Sequence, residues 1–187
     1  MHWIQRVIVE DSNVVVMAEA GNSFAWVINQ LRFTKPERYR VSTGLGSMGH
    51  FVTGVVGATL GQNRKAVAIV GDGSMLMNNE ISTAVRYRIP AVWIVLNDGR
   101  YNMCEKGMNL LGFKDTDAEI PQVDFARIAR CMRAEGISVT RESELQASLE
   151  KAMASTHPFV IDVLIDPTTS APIGSRIQSL NLQGNRD

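Results

Sequence analysis

The chain has 187 residues, 45% hydrophobic and 20% charged, with 19 basic side chains balancing 19 acidic ones. That length and balance fit one soluble globular domain, and a zero net charge supplies no long-range attraction to nucleic acid or an anionic membrane. The longest unbroken apolar run, Ala91–Leu96, is far below the ~20 residues of a membrane helix. The opening Met1–Arg6 lacks the basic-then-apolar pattern of a secretory leader. Two cysteines, Cys104 and Cys131, build neither a disulfide scaffold nor a Cys-rich zinc site, so a reducing cytoplasm is the expected compartment.

In chain order, Met1–Ser12 is mixed and polar and is expected to be loosely tied. Asn13–Ala18 reads as a buried strand and Ser23–Leu31 as a helix. Ala66–Val70 is a short, fully apolar run, the pattern of a parallel strand covered on both faces. Met77, Ile81, Ala84 and Val85 fall on one helical stripe, which Pro90 should end before the strand Ala91–Leu96. Phe125, Ile128, Ala129 and Met132 make another stripe, with Asp124 as N-cap. Ser143–Gln146 fits a capping box ahead of a helix carrying Leu145, Leu149 and Met153. Phe159–Ile165 is a last strand, and the tail after Pro172 should fray or pack on a partner. Strands alternating with helices predict a three-layer α/β domain: a parallel sheet with helices on both faces. The whole chain reads as one domain with its core at about 13–166. Ligands of such sheets sit beyond the carboxyl ends of the strands.

Three strand ends carry candidate chemistry. The first runs into Gly21-Asn22-Ser23 at a helix start, where free N–H groups suit phosphate; a plain turn and cap is the bland alternative. The second runs into Gly71-Asp72-Gly73-Ser74, with one carboxylate, one hydroxyl and two glycines that allow close approach. The third ends in Asn97-Asp98-Gly99-Arg100-Tyr101. Neighbouring strand ends lie ~5 Å apart, so Asp72 and Asp98 can converge. Two carboxylates with a backbone carbonyl and a diphosphate form the hard-oxygen set that Mg²⁺ prefers.

The Gly71-Asp72-Gly73 triplet, the 23 residues 74–96 and the pair Asn97-Asp98 together resemble the motif of thiamine diphosphate (ThDP) enzymes. Gly44-Leu45-Gly46-Ser47-Met48-Gly49 and Leu96–Met103 are similar to the corresponding segments of acetolactate synthase-type members. The resemblance spans about residues 13–166. It implies a ThDP-binding fold, Mg²⁺ held by Asp72, Asp98 and the Arg100 carbonyl, and diphosphate contacts from Asn22, Gly73 and Ser74. It also implies Met48 beneath the bent cofactor, Gly46 and Gly49 bringing main chain toward its aminopyrimidine, and Gly21, Ser23, Gly71 and Tyr101 completing the cofactor site. The implied activity is decarboxylation of a small 2-oxo acid and transfer of the remaining fragment.

Members of this family join such a domain to a pyrimidine-binding domain that carries the cofactor-activating glutamate. Neither Glu19 nor Glu80 is assigned that role. A partner protein or subunit supplying the missing domain is therefore implied, in an oligomer, with no nucleic acid or membrane partner. The initial Met1 and an opening that joins directly to the first strand favour a split subunit over a fragment. A simple decarboxylase of the sulfo- or phosphonopyruvate type and a non-catalytic ThDP-binding module are the alternatives. Gly44-x-Gly46-x-x-Gly49 also spells a dinucleotide-binding fingerprint, but no clear strand precedes it and no suitable acidic residue follows about 20 residues on. His50 stands where relatives often carry an apolar residue, as a pocket wall or a proton donor. Cys104 reads as a small packing residue or a reactive thiol.

Overall fold

The computed structural model describes residues 1–77 and 80–172. The apolar runs form strands β1 (Val15–Ala18), β3 (Ala66–Gly71), β4 (Val92–Asn97) and β6 (Phe159–Leu164). Two strands the sequence does not announce, β2 (Tyr39–Val41) and β5 (Glu135–Val139), close the edges. Both are partly solvent-facing, so neither needs an apolar run. Every pairing is parallel, in the order β2-β1-β3-β4-β6-β5. β1 has β2 on one side and β3 on the other, so the winding reverses between β1 and β3, and a crevice opens there at the carboxyl edge.

Side chains alternate across the sheet with the two-residue period of a strand. Val15 and Met17 point into one core with Phe51, Val52 and Val55 of α2 (His50–Gln62). Ile81 and Ala84 of α4 (Ile81–Tyr87) and Phe125 and Ala129 of α6 (Phe125–Cys131) complete that layer. Val16 and Ala18 point the opposite way, onto Val27 of α1 (Asn22–Gln30) and Leu149 and Ala152 of α7 (Glu142–Ala154). Trp93, fully buried in β4, places its one donor by bonding Nε1–H to the Val52 carbonyl at 2.8 Å. The expected three-layer α/β domain is what the chain forms. Among the described residues no helix is long and apolar enough to cross a membrane.

Four local expectations are corrected. The opening segment is not loose. Ile4–Glu10 is a π-type helix whose Ile4, Val7, Ile8 and Val9 are buried, and Arg38 fastens it by donating to the carbonyls of Ile8, Val9 and Val14. The stripe from Met77 is broken: α3 (Asp72–Leu76) stops before Met77, which is half exposed, and α4 begins only at Ile81. That helix ends at Tyr87, through Arg88 in the left-handed region (φ 54°), ahead of Pro90. α7 starts two residues earlier than the Ser143 cap implies, because Glu144 reaches back to accept from the N–H groups of Thr140 and Arg141. A strand, β2, does precede Gly44, at the sheet edge. By contrast, Asp124 caps α6 as expected, accepting from Arg127 N–H at 2.7 Å. The tail beyond Pro172 lies outside the described residues.

Candidate functional site

A cavity of about 290 Å³ occupies the switch-point crevice. Ala20–Ser23 from the end of β1, Gly71–Ser74 from the end of β3, and Asp98 with Arg100–Cys104 beyond β4 all line it. Gly46 and Met48 approach from the loop before α2, and Leu96 and Ile165 form an apolar wall. Of the residues singled out in the sequence, Gly49 stands beside this lining rather than in it. It is the N-cap of α2, with φ 87° in the left-handed region that favours glycine.

Asp72 is buried, as the first residue of α3. Its Oδ1 accepts from Gly73 N–H at 2.8 Å and its Oδ2 from Gly99 N–H at 2.7 Å. The second bond ties the β3 end to the residue after Asp98, so the two carboxylates share one corner. Burial pushes both acids above the usual carboxylate range, and the neighbouring Asp98 charge adds to the rise at Asp72. Hydrogen bonds from Gly73, from Asn102 and from the main chain at Arg100 oppose the rise. Neither acid forms an ion pair among the described residues. The Arg100 guanidinium is turned away to Glu105 (2.7 Å) and Glu119, leaving its main chain beside the carboxylates. Two partly desolvated acids at neighbouring strand ends are a standing electrostatic cost that a cation removes.

Among the described residues no three His, Cys, Asp or Glu side chains gather to hold a metal. A cation here would need oxygen from main chain, a phosphate or water besides the two carboxylates. That is the habit of Mg²⁺, which binds through one or two carboxylates plus phosphate and keeps several waters. The donor set therefore fits a Mg²⁺–diphosphate group.

Three details were not legible in sequence. A Cβ on Gly73 would stand 2.7 Å from Cε1 and 2.9 Å from Cδ1 of Tyr101, and 3.8 Å from Met48 Sδ. The missing side chain thus admits the Tyr101 ring. Ser23 Oγ donates to the Glu19 carbonyl at 2.9 Å, so its hydroxyl proton is already committed. Glu19 itself, fully buried, caps α2: its Oε2 accepts from Phe51 N–H at 2.8 Å, while Oε1 has no hydrogen-bond partner. Burial raises its pKa against the pull of those helix N–H groups. The one local sign was an acidic residue closing an apolar strand.

Behind Asp98, buried Asn97 donates to Asp162 Oδ1 at 2.9 Å and accepts from Gln122. Asp162 Oδ2 receives the first N–H of α6, that of Phe125, at 2.9 Å. Its signal in sequence is the single acid within FVIDVLI. His50 sits outside the cavity lining and pairs with Ser42 Oγ (2.7 Å). A second cavity, about 370 Å³, lies beyond the Leu96–Ile165 wall, among Ile4, Trp26, Ile94, Val139, Leu145 and Val163.

A doubly wound parallel sheet with an acidic, glycine-lined crevice at its switch point places this chain among the α/β domains that take ligands at the carboxyl edge. Residues 19–163 match the family described as thiamine pyrophosphate enzyme, C-terminal TPP binding domain, and the chain belongs to that family; thiamine pyrophosphate and ThDP are the same compound. The chain is 30% identical over 160 residues to the acetolactate synthase isozyme 2 large subunit of Escherichia coli, covering 83% of this chain and 29% of that protein. It is 33% identical over 121 residues to benzoylformate decarboxylase of Pseudomonas aeruginosa, covering 63% of this chain and 23% of that protein. In fold it matches a ThDP-dependent 4-hydroxybenzoylformate decarboxylase of Rhodococcus jostii, with a TM-score of 0.80, 22% identity, and coverage of 88% of this chain and 31% of that one. The chain thus spans about a third or less of the relatives it matches.

Proposed function

We propose that this chain, residues 1–187 as one domain, is the diphosphate- and Mg²⁺-binding part of a cytoplasmic ThDP-dependent 2-oxo acid decarboxylase/carboligase of the acetolactate synthase type. The observation that carries the reading is the pair of carboxylates, buried Asp72 and half-buried Asp98, brought to one corner of the switch point by the Gly99 N–H to Asp72 hydrogen bond. Asp72, Asp98 and the Arg100 carbonyl would hold the cation. The N–H groups at Gly21–Ser23 and Ser74 would meet the diphosphate beside Gly73, whose own N–H is held by Asp72. Met48, packed toward Gly73 and Tyr101, would support the cofactor from below, with Gly46, Gly49 and Gly71 keeping main chain close. When bound, ThDP supplies the carbon centre at which a 2-oxo acid loses carbon dioxide. This chain's residues anchor that centre at its phosphate end and shield it behind Leu96 and Ile165. A pyrimidine-binding domain, on a partner subunit or elsewhere in a longer chain, would supply the activating glutamate. Glu19 is already engaged in capping α2.

Isothermal calorimetry with ThDP tests the anchoring role. Binding should require Mg²⁺ and disappear in Asp72→Ala; cation-independent binding, or an unchanged Asp72→Ala, overturns it. The likeness to benzoylformate decarboxylase supports a second reading, simple decarboxylation. Products from pyruvate, with the chain reconstituted with a pyrimidine-domain protein, separate the two: acetolactate supports the carboligase, and acetaldehyde alone the decarboxylase. Cofactor binding without turnover would mark a non-catalytic module.

A further inference from the structure

We infer that Asn102 is a positioning residue for the cation: it fixes the Asp98 carboxylate and leaves its own carbonyl for a water on the bound ion. The inference rests on reading Asp72 and Asp98 as cation ligands. Asn102 is buried and opens α5 (Asn102–Leu110) at the cavity wall. Its Nδ2 group donates twice, to Asp98 Oδ2 at 2.8 Å and to the Pro167 carbonyl at 2.8 Å. Both partners only accept, so the amide cannot be turned round without setting oxygen against oxygen twice. The orientation is forced, and it leaves Oδ1 buried with no hydrogen-bond partner.

That leftover acceptor narrows what can complete it. Diphosphate oxygens and carboxylates are acceptors and cannot serve. A water on Mg²⁺ is a donor, and Mg²⁺ characteristically keeps several waters. The far end of the clamp is held independently. One turn along α5, Lys106 Nζ donates to the Thr169 carbonyl and Ser170 Oγ, both at 3.2 Å. Asp166 closes the same segment by accepting from Thr168 N–H at 2.8 Å. Pro167 therefore offers a fixed point against which Asn102 holds one Asp98 oxygen, leaving the other for the ion.

The test titrates Mg²⁺ into the ThDP-saturated chain by calorimetry, comparing Asn102→Leu, Leu110→Ala and Asp98→Ala, each first shown folded by circular dichroism. Groups that orient a metal ligand typically contribute 10–100-fold in affinity. Asn102→Leu should weaken Mg²⁺ by about that factor, while Leu110→Ala, an exposed change at the far end of the same helix, stays near wild type. With Mn²⁺ in place of Mg²⁺, water-proton relaxation should show one bound water exchanging faster in Asn102→Leu. If Asn102→Leu matches wild type in both readouts while Asp98→Ala loses the ion, Asn102 is a structural staple and the inference fails. If the wild type binds no ion, or Asp98→Ala binds normally, the underlying reading of the carboxylates fails instead. Should Asn102→Leu not fold, Asn102→Ser replaces it. Its single hydroxyl donor cannot hold both acceptors, so a smaller loss in the same direction is expected, and no loss overturns the inference.

Discussion

The two cavities at the carboxyl edge share Leu96 and Ile165 as a common wall, yet they differ in kind. The larger is bounded chiefly by aliphatic side chains and Trp26, and its charged neighbours Arg141, Glu142 and Asp166 are exposed at the rim. The smaller gathers one buried and one half-buried carboxylate, helix starts and glycines from three strand ends. Size does not single out the candidate site. The reversal of winding between β1 and β3 does, because there the loops separate and leave main-chain donors facing a gap.

The contrast can be broken or sharpened by substitution. The largest effect should come from Asp98→Ala, which removes a proposed cation ligand. Mg²⁺-dependent ThDP binding, followed by calorimetry, should fall by more than the roughly 100-fold reached by groups that only orient a ligand. Next is Gly73→Ala. Its new methyl would strike the Tyr101 ring, an overpacking that costs about 1–3 kcal/mol, read as a lower Tm with weakened ThDP binding. A smaller effect is expected from Glu19→Gln. The folded-state pKa of Glu19 is raised above its usual 4.5, so the native state holds its proton more tightly than the unfolded chain. Wild-type stability therefore falls as pH rises through that interval. Gln still accepts from Phe51 but carries no charge, so Tm should gain on wild type toward neutral pH and lose that advantage below pH 4.5. Smallest of all is Leu145→Met in the larger cavity, a volume-conserving change that should leave ThDP affinity within about twofold. A marked loss there would show that the two cavities are functionally joined.

Much of the scaffold was legible because it is local. Val15–Ala18, Ala66–Val70 and Phe159–Leu164 are apolar runs with one strand's worth of length, and Asp72 and Asp98 sit at strand ends the chain itself declares. What escaped depends on distance in sequence. Asn102 takes its meaning from Pro167, 65 residues away, and Glu19 from Phe51, 32 away. β2 and β5 are edge strands without an apolar signature, and α5 opens on Asn102, which is held from both the β4 exit and the Pro167 segment. The opening helix was hidden because its anchor, Arg38, lies about 30 residues downstream.

That anchor has a bearing on how the molecule opens. Arg38 is a buried guanidinium gripping carbonyls from both the opening helix and the start of β1. Peeling the first ten residues off the sheet would strip a charge of partners that water must replace while the rest of its pocket stays closed. The opening helix, the Arg38 turn and β1 should therefore exchange their amide hydrogens as one cooperative unit rather than fray from the end. A segment that reads as a loose leader would then behave, on the timescale of hydrogen exchange, as part of the slowest-opening core.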